Sequence, residues 1–216
     1  SKALAIVTFS YTKNFREIIK EIATLMAYEA FKDVPTQEIE VETPLEMTKQ
    51  IVVKENSIAI VPPLWTPAFP GVVERESKVF GEDMATSTYP IKSFLDEGCK
   101  ICFHSDYPIS PLLDISRSIY MAEFRKVPDA EEKERGIKDT SNNTKECIDR
   151  LNALKAVTIN CAYAMKQEDR MGSIKKGKLA NFAVLDKDLL KDSKDEILKA
   201  KTIATIVDGN VVYSGQ

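Results

Sequence analysis

MGSIKKGKLANFAVLD, residues 171–186, and TIVDGNVVYSG, residues 205–215, are the two stretches that decide how the chain ends. Gly172 and Gly177 mark a turn, after which apolar and polar residues alternate in LANFAVLD, as in a half-buried strand. Asp208 and Gly209, followed by Asn210, lie between two apolar runs, a pattern that indicates a tight hairpin. We therefore expect two short antiparallel strands to close the chain.

The rest of the chain alternates between apolar runs and amphipathic segments. Ala3–Phe9, Ser57–Val61 and Lys100–Phe103 are short and largely apolar, as expected for strands that are buried on both faces of a parallel sheet. Amphipathic helices are predicted between them, and strand followed by helix, several times over, predicts an α/β fold built from βα units. The predicted helices are Phe15–Met26, Pro44–Lys54, Gly71–Phe80, Ile91–Glu97 and Pro111–Phe124.

Composition and charge are those of an ordinary globular protein. Of 216 residues, 44% are hydrophobic and 29% are charged, and a chain of this length can bury about 70% of its unfolded surface. The net charge of −3 argues against nucleic acid as the main partner, because phosphate binding favours a basic excess. No apolar run approaches the ~20 residues of a membrane span and no signal-peptide pattern opens the chain, so we expect no membrane partner and a cytoplasmic location.

Two motifs carry a resemblance to a known family. Tyr89–Pro108 has the sequence YPIKSFLDEGCKICFHSDYP. Thr158, Asn160 and Ala162 lie shortly before the GSI-x-x-GK stretch that begins at Gly172. The first motif is similar to the Y-P-x-(R/K)-S-L-L-x-x-G…GSDWPV pattern of amidohydrolase family 3, which contains N-substituted formamide deformylases and exoenzyme regulatory proteins. The second resembles the closing segment of metal-dependent amidohydrolases.

The resemblance implies a fold, an activity and a cofactor. Residues 1–170 are expected to form the C-terminal part of a TIM-type (β/α)8 barrel, with about four βα units. Residues 171–216 are expected to supply short strands of the β-sandwich beside it. The implied activity is hydrolysis of carbon–nitrogen bonds in small amides, with a divalent metal, zinc above all, as cofactor. Because a part-barrel has open sheet edges, we expect this chain to be inactive alone and to form a homo-oligomer or to associate with a complementary half-barrel.

The candidate site residues lie at the ends of predicted strands. By resemblance, Asp106 in HSDYP corresponds to the family's eighth-strand aspartate, a metal ligand that also takes a proton from the attacking water. The alternative is that Asp106 only caps backbone amides at the end of a strand. Trp65, His104 and Tyr107 are the predicted substrate-binding residues, although a proline-rich loop such as Pro62–Pro67 equally often only packs its tryptophan.

The other metal ligands of the family are missing from this chain. His104 is its single histidine, whereas the segments that it resembles need at least two. Val41 stands where the family has the histidine of its IEH segment, Thr8 falls near another histidine, and Met84 replaces the arginine of G-x-x-R. The alternatives to an enzyme are therefore a catalytically dead binding or regulatory module that holds no metal, or an assembly subunit.

The four cysteines and one charged segment complete the sequence predictions. Cys99-x-x-Cys102-x-His104 has the spacing of metal ligands, but a strand places Cys99 and Cys102 on opposite faces, so we expect buried thiols instead. The segment Arg125–Lys145 has few apolar residues and is predicted to be a mobile surface loop. Its paired carboxylates, Glu131 and Glu132, are predicted to be solvated.

Overall fold

The computed structural model describes residues 57–107, 109–110 and 114–215. These residues belong to one compact unit, Thr48–Gln216. The predicted boundary at residue 170 stays a prediction. Several sequence predictions fall on residues 1–56 and lie outside the described residues: the strand Ala3–Phe9, the helices Phe15–Met26 and Pro44–Lys54, and the positions of Thr8 and Val41.

Two parallel strands form the first sheet in the described part of the chain. Strand β1 covers Ile58–Val61 and strand β2 covers Lys100–Phe103, in a register that pairs Ile58 with Lys100 and Val61 with Phe103. Both strands lie where the apolar runs predict them. Parallel neighbours need a crossover connection, and here three helices lie between them, which is the predicted βα arrangement.

Three of the described helices lie within the segments predicted to be helical, 71–80, 91–97 and 111–124. Polar side chains cap several of the helices. A carboxylate oxygen of Asp114 accepts the amide hydrogen of Arg117 at 2.9 Å, and Asp149 accepts that of Asn152 at 2.9 Å. Such caps satisfy amides that the first turn of a helix leaves unpaired. The helices are α1 Val72–Phe80, α2 Glu82–Ala85, α3 Ile91–Asp96, α4 Ile115–Phe124, α5 Asp129–Arg135, α6 Arg150–Ala156, α7 Ile159–Ala164 and α8 Lys194–Ile197, with short 3-10 helices at Pro63–Trp65 and Thr144–Glu146.

Two short helices, rather than one continuous helix, precede the GSI turn. Helix α6 ends at Ala156 and α7 begins at Ile159, because Thr158 leaves the helical conformation with φ −128° and ψ −99°. Val157, Thr158 and Ile159 are three β-branched residues in succession, which lowers helix propensity. The Thr158 hydroxyl also donates a hydrogen bond to the Leu154 carbonyl at 2.6 Å.

The last part of the described chain is a three-stranded antiparallel sheet. Its strands are β3 Phe182–Leu185, β4 Thr202–Val207 and β5 Asn210–Ser214, in the order β3-β4-β5. Asp208 and Gly209 join β4 to β5 with φ of +49° and +81°, as a tight hairpin of the predicted kind requires. The predicted closing strands are therefore confirmed, and β3 extends them into a sheet.

The core lies between β2 and the helices that cover it. Ile101 of β2, Ile91 of α3 and Ile119 of α4 are completely buried, and Met121 is 1% exposed. These residues belong to one hydrophobic cluster, which Val127 and Ala153 extend. Burying a side chain of this size contributes about 1.5–3 kcal/mol, so the cluster holds α3 and α4 against the end of β2.

The prediction of a loose surface loop at Arg125–Lys145 is wrong. The segment contains α5 and the 3-10 helix Thr144–Glu146. Arg125, Thr140 and Glu132 are among its buried residues. Its order depends on buried polar groups that pair with one another, and a polar composition does not reveal such pairing.

Arg125 is the largest completely buried side chain described. Its guanidinium donates hydrogen bonds to three backbone carbonyls: Asn142 at 2.9 Å, Tyr89 at 2.8 Å and Thr88 at 3.0 Å. Burial lowers the pKa of Arg125 to about 10, against the opposite influence of Cys147 and Glu146. The group therefore stays charged at neutral pH and ties the segment before α3 to the segment after α5.

Glu132 is buried in the same segment rather than solvated. Its Oε1 accepts hydrogen bonds from the amide and the hydroxyl of Thr140, both at 2.7 Å, and its Oε2 lies 3.0 Å from Lys126 Nζ. Burial raises the pKa of Glu132, but the hydrogen bonds from Thr140 and Lys126 outweigh that effect and the net pKa is lowered. Glu131 is paired as well, with Arg117 at 2.5 Å.

Gly172 provides a test of how closely the GSI turn packs on α7. A β-carbon at Gly172 would lie 2.6 Å from the Ala162 β-carbon, whereas one at Gly177 would meet nothing within 4 Å. Both glycines have positive φ, of +85° and +92°. We expect Gly177→Ala to lower the free energy of unfolding by about 1–2 kcal/mol through backbone strain alone. Gly172→Ala should lower the free energy of unfolding by about 1–3 kcal/mol more, because its β-carbon would also overlap the Ala162 β-carbon. Equal losses in urea denaturation would contradict the close contact.

Glu132→Gln tests the buried carboxylate. The variant should lose about 1–3 kcal/mol of unfolding free energy at pH 7, because the neutral amide does not replace a charge-assisted hydrogen bond. The folded-state pKa of Glu132 is lowered, so its stabilisation is fully present above the unfolded value of about 4.3 and is lost as pH falls through the folded value.

Unfolding titrations from pH 7 to pH 3 check this expectation. The difference between wild type and Glu132→Gln should shrink as the pH falls below about 4. Glu134→Gln, in the same helix but exposed, is the matched control and should stay within about 0.5 kcal/mol of wild type. A difference that does not change with pH would show that the charge of Glu132 is not the cause.

Candidate active site

Asp106 lies in a sharp turn just after β2. Its φ is +58°, in the left-handed region that aspartate adopts more readily than most residues. The Asp106 carbonyl accepts the amide hydrogens of Ile109 at 2.8 Å and Ser110 at 3.2 Å, which closes the turn through the main chain. The position agrees with the sequence prediction, because the side chain follows the carboxyl end of a parallel strand.

The negative charge of Asp106 acts on the imidazole of His104, which lies two residues earlier in the chain. Both side chains are half-buried. Burial lowers the pKa of His104, and the negative charge of Asp106 opposes that change in part. The imidazole is therefore mainly neutral at pH 7, and a neutral imidazole can both donate and accept a hydrogen bond.

A cavity of about 1240 Å³ lies beside this turn. Trp65 and Tyr89 contribute aromatic surface to it, and Ile109 and Ser110 bring the loop after β2 to its wall. The Trp65 Nε1 donates a hydrogen bond to the Ser110 Oγ at 3.3 Å, which joins the loop after β1 to the loop after β2. The volume exceeds the roughly 300–1,000 Å³ that is typical of small-molecule sites.

The structure separates the four predicted site residues. Trp65 lines the cavity, whereas Asp106, His104 and Tyr107 do not belong to its described lining. The Tyr107 side chain is 74% exposed. Asp106 and His104 lie together after β2, where the charge of Asp106 acts on the imidazole, whereas Trp65 lines the neighbouring cavity. The roles assigned to these four residues stay predictions.

Tyr89 connects the cavity with the charge of Asp106, and its role was not predicted from the sequence. Burial and the negative charges of Glu76 and Asp106, opposed by Arg125, together raise the pKa of Tyr89 to about 12. The phenol is thus protonated at neutral pH and lines the cavity as a hydrogen-bond donor. The only sequence signal was its place at the start of the YPIKS motif.

Carboxylates outnumber cations around the cavity. Glu76 is one of them and is only 7% exposed. The carboxylates are Glu76, Asp114, Glu131, Glu134 and Asp195, and the cations are Arg117, Arg135 and Lys199. An excess of five to three disfavours anionic ligands and suits neutral or cationic ones.

The described residues do not form a complete metal centre. No group of three or more histidine, cysteine, aspartate or glutamate side chains within residues 57–107, 109–110 and 114–215 is arranged to hold a metal ion. Asp106 can contribute one carboxylate ligand, and zinc sites in enzymes use three protein ligands. Further ligands would have to come from outside these residues.

No helix within residues 57–107, 109–110 and 114–215 is both long enough and apolar enough to cross a bilayer.

Several solved structures are distantly similar to this chain. Guanine deaminase from E. coli has 14% sequence identity and a TM-score of 0.44, over 74% of this chain and 35% of that one. An amidohydrolase from Thermotoga maritima has 17% identity and a TM-score of 0.42, over 94% of this chain and 55% of that one. At these scores neither likeness supports an argument about the site.

Among curated proteins, short matches occur to uracil phosphoribosyltransferases. The enzyme of Lysinibacillus sphaericus is 51% identical over 51 residues, which is 24% of this chain and 24% of that enzyme. The enzyme of Streptococcus suis is 46% identical over 55 residues, 26% of each. The chain therefore spans about a quarter of the length of these curated relatives.

The match to a protein family is far longer. The family model described as the amidohydrolase family matches residues 14–213, almost the whole chain. Together with the parallel pair β1–β2 and the antiparallel sheet β3-β4-β5, this match confirms the predicted C-terminal part of a TIM-type barrel followed by short strands. The chain belongs to the amidohydrolase family.

Proposed function

We propose that the chain supplies the C-terminal part of a hydrolase that cleaves a carbon–nitrogen bond in a small amide. Asp106 is the residue that accepts a proton from the attacking water. Membership of the amidohydrolase family supports this reaction class, because metal-dependent hydrolysis of such bonds is the chemistry that the family resemblance implies. The choice of substrate and the part played by Asp106 are our proposals.

One observation carries the assignment: a half-buried aspartate follows a parallel strand beside a cavity. Catalytic residues of TIM-type barrels come from the carboxyl ends of the strands. The turn at Asp106 shares Ile109 and Ser110 with the cavity wall, since their amides donate to the Asp106 carbonyl. A ligand that fills the cavity therefore lies next to the loop that carries Asp106.

The proposed reaction uses Asp106 for proton transfer. The oxygen of a water molecule attacks the amide carbon while one water proton passes to an Asp106 carboxylate oxygen. When the carbon–nitrogen bond breaks, the same proton passes to the nitrogen, so that a carboxylic acid and an amine leave. Proton transfer by a positioned carboxylate contributes about 10²- to 10⁴-fold to a rate. Tyr89, a neutral phenol on the cavity wall, is suited to donate a hydrogen bond to the substrate.

A divalent metal, zinc above all, is proposed to belong to the complete enzyme. The described residues offer Asp106 as one ligand and form no complete centre. We therefore propose that the other ligands come with the missing part of the barrel, from a second copy or from a complementary half-barrel. Two parallel strands are the part of this sheet that the described residues form, and a part-barrel with open edges would favour pairing with another chain.

The chemistry of the cavity favours a neutral, partly aromatic or heterocyclic amide. Trp65, Phe69 and Leu64 give apolar contact surface, while the carboxylates around the rim discourage anions. The likeness to uracil phosphoribosyltransferases over 51 residues adds uracil to the ligands that should be tested. Uracil is itself a neutral cyclic imide, so it fits the same description.

The alternative is a binding or regulatory module without catalysis. Its support is the single histidine of the chain, together with Met84 in place of the family's arginine. A module of this kind would keep the cavity and lose the proton transfer. Binding and hydrolysis must therefore be measured separately.

Trp65 makes ligand binding measurable because it is the only tryptophan. We expect uracil or an N-substituted formamide to change its fluorescence in a saturable way. Tyr89→Phe should weaken binding by about 3- to 10-fold, the effect of one lost hydrogen bond. Tyr213→Phe is the matched control, since Tyr213 lies on β5 and is 51% exposed. Equal affinities for both variants would remove Tyr89 from the site.

Hydrolysis is tested on fractions of the purified chain separated by size, with and without added zinc ions. We expect release of amine from an N-substituted formamide only in fractions heavier than the 24.2 kDa monomer. Asp106→Asn should lower kcat by about 10²- to 10⁴-fold at unchanged thermal stability, because the amide accepts no proton.

Asp139→Asn is the control for Asp106→Asn, because Asp139 is an exposed aspartate that also has positive φ, +43°. It should keep full activity. Saturable binding without hydrolysis in any fraction would favour the binding module. Activity that survives Asp106→Asn would exclude the proposed proton acceptor.

A further inference from the structure

Two cysteines that the proposed function does not use lie in direct contact. The Cys102 Sγ and the Cys161 Sγ are 2.7 Å apart. Cys102 lies on β2 and is 7% exposed, whereas Cys161 lies on α7 and is half-buried. The two residues are 59 positions apart in the chain, so only the packing of α7 on β2 brings them together.

The neighbouring residues hold this contact in place. The Asn160 Nδ2 donates a hydrogen bond to the Ile101 carbonyl at 2.8 Å, so that the residues preceding both cysteines are joined. The Cys161 Sγ also lies 2.9 Å from the Ala156 carbonyl oxygen, at the end of α6. Helix α7 is therefore joined to β2 by Asn160 and to the end of α6 by Cys161, next to the sulfur pair.

The distance between the sulfurs favours a disulfide over a shared metal ion. Two thiolates on one zinc ion, each about 2.3 Å from the metal in tetrahedral geometry, lie about 3.7 Å apart. A disulfide bond is about 2.05 Å long, so the observed 2.7 Å must shorten by only about 0.7 Å. In the described part of the chain no third ligand completes a metal group.

Cys161 is the reactive member of the pair. The hydrogen bond between the two sulfurs lowers the pKa of Cys161 to about 7, although burial opposes this. The same hydrogen bond, together with burial, raises the pKa of Cys102. Burial also raises the pKa of Cys99 and of Cys147. The thiolate is the nucleophilic form of cysteine, and half-buried Cys161 is also more accessible than Cys102.

We propose that Cys102 and Cys161 are a redox-active pair that closes to a disulfide in the presence of a hydroperoxide. The Cys161 thiolate attacks a peroxide oxygen and the O–O bond breaks, which leaves a sulfenic acid on Cys161 and releases hydroxide. The Cys102 sulfur then attacks the sulfenic sulfur, its proton leaves with the hydroxyl as water, and the S–S bond forms. With hydrogen peroxide, two thiols lose two electrons and the peroxide is reduced to two molecules of water. A thiol reductant reverses the change by exchange.

The disulfide would connect the barrel strand that leads to Asp106 with the helix behind it. It would close a loop that contains α4, α5 and α6. Cross-links over loops of this length stabilise folded proteins mainly by restricting the unfolded chain. For a domain of this size we expect oxidation to raise the melting temperature by about 5–10 °C.

The test exposes the full chain to a small excess of hydrogen peroxide, blocks the remaining thiols by alkylation and maps the peptides by mass spectrometry. We expect free thiols to fall from four to two and a Cys102–Cys161 cross-linked peptide to appear, two hydrogens lighter than its parts. Dithiothreitol should restore four thiols and the original melting temperature. Because this measurement uses the wild-type chain, it does not depend on a variant that folds.

Two variants complete the experiment. Cys161→Ser should abolish both the disulfide and the rise in melting temperature, while Cys147→Ser, at another half-buried cysteine, should keep both. Four free thiols after treatment, a disulfide that contains Cys99 or Cys147, a cross-link between two chains, or Cys161 trapped as a sulfinic acid would each overturn the proposal.

Discussion

The buried guanidinium of Arg125 is the constraint on which the described part of the site depends. It donates to carbonyls of Thr88, Tyr89 and Asn142, which belong to two segments far apart in the chain. A charge that is completely buried is tolerated only when such partners satisfy it. Losing the guanidinium would leave the Asn142 carbonyl with no other partner among the described residues, at a cost of about 1–3 kcal/mol, whereas the Thr88 and Tyr89 carbonyls also accept hydrogen bonds from Asn143 Nδ2 and the Ile91 amide.

The hydrogen bond from Arg125 to the Tyr89 carbonyl positions Tyr89, which is proposed to bind the ligand. Because Arg125 holds the Tyr89 carbonyl, the phenol is fixed at the cavity wall, where it is affected by the charges of Glu76 and Asp106. Trp65, which also lines the cavity, donates a hydrogen bond to Ser110. The proposed binding surface and the proposed proton acceptor thus occupy neighbouring but separate places, joined by the loop after β2. Because of that separation, we expect variants to affect binding and hydrolysis independently.

Local pattern was sufficient for much of this arrangement. Apolar runs placed β1 and β2, and Asp208 with Gly209 placed the hairpin, because these features depend on periodicity and on turn residues within a few positions. The local sequence pattern was insufficient where charged side chains are buried. The segment Arg125–Lys145 looks solvated by composition, yet its charged groups are buried because they pair with each other and with carbonyls. No periodic signal reports such pairing.

The amino-acid sequence by itself determined the described strands, the helices α1, α3 and α4, the family and the place of Asp106 at the end of a strand. These follow from residues close together in the chain and from motifs that are contiguous. Only the tertiary structure decided that Tyr89 lines the cavity and that Cys102 touches Cys161 across 59 positions. The physical reason is that such contacts depend on how helices pack on β2, and the free energy of that packing comes from the whole core rather than from any one segment.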